Sequence, residues 1–84
     1  MTTKYSSRES AIRTGLTYLG IEKSLRDLPL PETVRIRWPR EATMDVYTIE
    51  NSNEERKFGV GKYDGENSFS LWLICPESGD TIQV

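Results

Sequence analysis

Val34-Arg35-Ile36-Arg37-Trp38 alternates apolar and basic residues without a break, the pattern of a strand with one buried face. The apolar period changes at this point from 3.6 residues to two. Downstream, Met44–Glu50 (MDVYTIE), Lys57–Tyr63 (KFGVGKY) and Ser68–Cys75 (SFSLWLIC) read as three more strands. The polar run Asn51–Glu55 and the dipeptide Asp64-Gly65 supply turns between them, glycine giving the positive φ that tight hairpins need. Thr81–Val84 is able to add a short fifth strand.

Upstream, Ser6-Ser7-Arg8-Glu9 has the capping-box form, a hydroxyl followed three residues later by a carboxylate. Ile12, Leu16 and Leu19 then recur at i, i+4 and i+7, one face of a helix. Ile21, Leu25 and Leu28 repeat that spacing on the opposite side, so a single straight helix would carry two opposed stripes. A break at Gly20 lets both stripes face one core. Two short helices are therefore expected, at 7–19 and 22–28, the second stopped by Pro29-Leu30-Pro31. The expected fold is α+β: two short N-terminal helices packed on one face of a four-stranded, or five-stranded, antiparallel β-meander. Residues 1–84 are read as one domain with a loose tail at 1–5.

Alternation sorts the side chains. Val34, Ile36 and Trp38, Phe58 and Val60, and Phe69, Leu71 and Leu73 are expected to meet the helices. The second strand is ambiguous, because Met44, Val46 and Thr48 compete with Tyr47 and Ile49. Arg35, Arg37, Tyr47, Tyr63, Trp72 and Ile74 are left for the face away from the helices. Arginine and aromatic residues are enriched where protein partners dock, and this set is the expected partner-binding face. Trp72 equally suits a packing role over the side-chain-free Gly59 and Gly61.

Composition narrows the chemistry. The 84 residues contain no histidine, which removes the commonest general base and metal ligand. The one cysteine, Cys75, cannot form an internal disulfide, has no imidazole to activate it, and closes an apolar strand as a small hydrophobe would. Asp64, Glu66 and Asn67 crowd one turn without Ca²⁺-loop spacing. Gly59-Val60-Gly61-Lys62 lacks the spacing and the Ser/Thr of a phosphate loop. No catalytic residue, metal site or cofactor is expected. The chain shows no signal-peptide pattern and no run of roughly 18–20 apolar residues, so a cytoplasmic setting is the expectation.

Residues 1–40 hold eight Lys/Arg and four Asp/Glu, and residues 41–84 hold three and nine, giving +4 and −6. Such a split can orient an encounter, or serve solubility alone. The expected function is that of a small non-enzymatic regulator, inhibitor or accessory subunit. It would bind a protein partner through the Arg/aromatic face and the acidic residues Asp45, Glu50, Glu54 and Glu55, with nucleic-acid mimicry as a variant. One alternative is single-stranded nucleic-acid binding by Arg35, Arg37, Arg40, Tyr63 and Trp72. A pI of 5.1 weighs against it. A second alternative is an enzyme whose site another subunit completes. No membrane partner is expected, and a homodimer stays open, since a strand edge or the Trp72 face can pair across a two-fold axis.

Overall fold

The computed structural model describes residues 2–51 and 53–84. Among these it shows one α-helix, α1 (Arg8–Leu19), a 3₁₀ turn at Leu25–Asp27, and five strands. The strands are β1 (Glu32–Ile36), β2 (Ala42–Asn51), β3 (Glu54–Tyr63), β4 (Ser70–Ile74) and β5 (Thr81–Gln83). They form one antiparallel sheet in the order β1-β2-β3-β4-β5. The class is the expected α+β, with a fifth strand present.

The cap lies one residue later than the sequence suggests: Ser7, not Ser6, is the N-cap, and its hydroxyl accepts from Ser10 N–H at 3.1 Å. Gly20 ends the helix as expected, in the left-handed region at φ 69°, where a β-carbon would be strained. The second helix does not form beyond the 3₁₀ turn. Seven residues before a proline pair cannot offset the cost of helix nucleation. Ile21 is nevertheless buried in the helix-side core, with Leu25 and Leu28 packed on it. The apolar stripe survives without the helix.

Helix α1 packs on β3 and β4. The core between them gathers Ile12, Leu16, Phe58, Val60 and Leu71, joined by Tyr47 and Ile49 of β2. The ambiguity of β2 is thus resolved in favour of Tyr47 and Ile49. That choice fixes β1 as well. Val34 lies opposite Met44 and Arg35 opposite Thr43, so Val34 and Ile36 share the face away from the helix with Met44, while Arg35 is on the helix side. The expected orientation of β1 is reversed. Alternation within a strand says which residues travel together; the register against its neighbour says where they go.

The face without a helix carries its own small core, in which Ala42, Met44 and Trp72 are buried and Ile36, Val46, Tyr63 and Ile74 pack around them. Trp72 stands opposite Gly59, and Met44 opposite Gly61 and beside Gly59. A β-carbon at Gly59 would collide with the Met44 thioether, and one at Gly61 with the Thr43 carbonyl oxygen. The glycines clear the ground on which the two large side chains lie. Tyr5, placed in the tail expected for 1–5, is buried and exchanges backbone hydrogen bonds with Phe69 at 2.8 and 2.9 Å.

Candidate docking edge

The six residues expected to form one docking face are divided between the two sides of the sheet. Tyr47 is on the helix side, only 7% exposed and stacked on Phe58 with ring centroids 5.3 Å apart. Its hydroxyl accepts from Arg8 Nη2 at 2.7 Å, the guanidinium that also pairs with Asp45. Arg35 is on that side too, beyond the helix, and donates to Thr43 Oγ1 at 2.9 Å and Asp64 Oδ1 at 2.8 Å. Trp72 (4% exposed), Tyr63 and Ile74 occupy the other face. Arg37 lies just past the end of β1, exposed. No surface holds all six.

Tyr63 is half-buried. Trp72 meets its ring edge-on with centroids 5.6 Å apart, and the Lys4 ammonium and Arg40 guanidinium stand 4.6 and 4.3 Å from its centroid. Both cations pair with Glu66 at 2.8 Å. The Tyr63 hydroxyl donates to Gln83 Oε1 at 2.7 Å, and Gln83 Nε2 is buried without a partner. Turning the amide over would only exchange which atom is orphaned.

Half of the cations in the basic half of the sequence are paired inside the molecule. Lys4, Arg8, Arg35 and Arg40 from the basic half pair with Glu66, Asp45, Asp64 and Glu41 from the acidic half. The carboxylates of the crowded turn are among them. Hydrogen bonding from Arg35 holds Asp64 below the ordinary carboxylate range, and hydrogen bonding from Lys4 and then Arg40 does the same for Glu66. Glu54 and Glu55 pair with Arg56 and Lys57. Cys75 is exposed in the turn after β4 and not the small core residue expected. Hydrogen bonds from the Ser78 side chain and from the Ser78 and Glu77 backbone draw its thiol below the ordinary value.

What remains on offer is the outer edge of β1. This strand ends the sheet and pairs only with β2, so one row of its backbone N–H and C=O groups faces outward. Exposed apolar side chains lie in the strand and beyond both of its ends: Val34 (37% exposed) within it, Leu30 (95%) before it and Trp38 (85%) after it. Trp38 was expected in the core with Ile36; the strand ends at Ile36, and the chain turns before Trp38 can enter the sheet. Glu32 opens the strand and Arg37 follows it, both exposed and outside every ion pair among the described residues. One sequence signal pointed here. Pro31 and Pro39 bracket the strand, and proline within sheets belongs to edges and strand ends. The opposite edge, β5, is three residues long.

None of the described helices is long and apolar enough to cross a membrane. No protein-family model, curated protein or solved structure matches this chain.

Proposed function

We propose that this chain is a non-enzymatic protein-interaction module that docks through the outer edge of β1. The observation that supports this reading best is the exposed apolar side chains Leu30, Val34 and Trp38, within and at either end of a strand whose outer hydrogen-bonding row is unpaired. A partner strand laid against such an edge gains main-chain hydrogen bonds, and alternate side chains give it specificity. Trp38 supplies the kind of large, rigid anchor on which interface energy concentrates. Regulation, inhibition or an accessory-subunit role would each use such a surface.

Nucleic-acid binding is the second reading, because Trp38 stands between Arg37 and Arg40. Arg35 and Arg40 are already neutralised by Asp64 and Glu66, which leaves little of the basic footprint that phosphate contacts require. An enzyme completed by another subunit has less support still, with no histidine in the chain and its crowded carboxylates held by its own cations.

The test compares two tryptophans. Trp38→Ala should abolish capture of a partner by the tagged full chain from a lysate of its native host, with the melting temperature unchanged. Trp72→Ala should instead destabilise the fold by about 3–5 kcal/mol, as truncation of a buried tryptophan does. Capture that persists in Trp38→Ala and Val34→Lys would contradict the docking reading. Retardation of generic single-stranded DNA or RNA at low salt, lost in Trp38→Ala, would favour the second reading instead.

A further inference from the structure

We propose that the hollow between α1 and the 3₁₀ turn binds a phosphate group. Four cations have neither a carboxylate nor an aromatic ring as partner among the described residues: Arg13, Lys23, Arg26 and Arg37. Three of these, Arg13, Lys23 and Arg26, line one depression of about 590 Å³ together with Glu9, Ser24 and Leu25. This site lies apart from the β1 edge and is independent of the docking reading.

The fold brings together cations that the sequence keeps apart. Glu9 and Arg13, at i and i+4, are both exposed on α1, a spacing that sets them on one side of the helix. Gly20 then turns the chain in the left-handed conformation, and the Ile21 N–H donates back to the Leu16 carbonyl at 2.9 Å. Ile21 is buried, and Leu25 and Leu28 pack on the same core, which draws the 3₁₀ turn back against α1. The apolar side chains of this segment fix its path and leave Lys23 and Arg26 exposed beside Arg13.

Charge selects the ligand. Arg13, Lys23 and Arg26 against Glu9 leave a formal net charge of +2 around the hollow, which a phosphate dianion neutralises and a single carboxylate does not. The other acids of the segment, Glu22 and Asp27, do not line it, and the Asp27 carboxylate accepts the Ser24 hydroxyl at 2.9 Å. Lys23 also borders a second hollow with Glu22 and Glu50, without an ion pair to either. Two guanidinium groups offer planar forks that match phosphate oxygens, and the ammonium adds a compact charge. No aromatic ring lines the hollow, so it lacks a platform on which a base could stack. Recognition therefore rests on the phosphate alone. Glu9 opposes the ligand, so its removal acts with the opposite sign to removal of a cation.

Amide NMR of the full chain tests this, with inorganic phosphate raised from about 0.1 to about 20 mM at constant ionic strength. The pH is held at about 7.5, where phosphate monoesters are largely dianions. Amides of Arg13 and of Lys23 to Arg26 should shift and saturate with a midpoint of about 1 mM. Arg13→Gln and Arg26→Gln should each raise that midpoint by about threefold or more, and Glu9→Gln should lower it. Spectra without phosphate that match the wild type away from the substitution show that the fold is intact. A blocked phosphoserine peptide then distinguishes two sources of the same group. Tighter binding than inorganic phosphate supports a phosphorylated partner chain, and weaker binding supports a free ion. Shifts that never saturate, that chloride reproduces at equal ionic strength, or that succinate matches at equal concentration overturn the proposal. So does a midpoint that Arg13→Gln and Glu9→Gln move in the same direction or leave unmoved.

Discussion

At Gly61 the sheet has no room for a β-carbon: the nearest atom is the Thr43 carbonyl oxygen, part of the backbone of the paired strand. At Gly59 the obstacle is the Met44 thioether, a flexible group that can swing aside. The two glycines look alike in sequence and differ in what surrounds them. Gly61→Ala should cost about 1–3 kcal/mol in urea unfolding, the range of overpacking in a filled site, and Gly59→Ala distinctly less. Equal stability for Gly61→Ala and wild type would contradict the close approach. Trp72 depends on the same clearing. The sequence offered it two roles, a docking residue or a cover for the glycines, and packing at 4% exposure is the one realised. Nothing in a single sequence decides between them, because both place Trp72 on the same face of the same strand.

The elements show where reading by period succeeds and where it stops. Helix α1 was expected at 7–19 and spans Arg8–Leu19, because a cap, an apolar stripe and a terminal glycine all agree. Each strand lies at or close to its expected place, and β2 and β3 are longer than the apolar pattern alone suggests, at Ala42–Asn51 and Glu54–Tyr63. Ser52, in the turn expected at Asn51–Glu55, lies outside the described residues. The second helix failed since periodicity marks burial and not length. The reversal of β1 has a different cause. Val34 and Ile36 were correctly grouped, but their face is inherited from β2, and β2 carries apolar residues on both sides: Tyr47 and Ile49 against Met44 and Val46. Where a strand is two-sided, its neighbours' orientation cannot be read locally. The misplacement of Arg35 followed from that one ambiguity, and that of Trp38 from the end of the strand at Ile36.

At the scale of the whole molecule, ion pairs join segments that are distant in sequence. Glu66 holds both Lys4 and Arg40 at 2.8 Å, linking the N-terminal segment, the β1–β2 connection and the β3–β4 connection, and Asp64 ties β1 to the same place. Both carboxylates are held below their ordinary values. A group whose folded value is depressed contributes stability above its unfolded value, near pH 4, and loses it as pH falls through the folded value. Melting temperature should therefore fall on acidification below about pH 4. The gap between wild type and the double variant Asp64→Asn, Glu66→Gln should shrink towards zero over the same window. A gap that stays constant from neutral pH to pH 3 would remove these pairs from the account. The pairs also bear on function, since they occupy four of the eight cations of the basic half, Lys4, Arg8, Arg35 and Arg40, and leave Arg37 beside an open edge.

The measurement that tests that edge most directly is amide hydrogen exchange along β1, followed on the chain alone and on the chain with its captured partner. Docking at the edge should slow the amides within Glu32–Ile36 in the complex and cover Trp38, while β5 and the exposed face of α1 keep their rates. Exchange in β1 that the partner leaves unchanged, with protection appearing at β5 or around Trp72 instead, would place the docking surface elsewhere and contradict it.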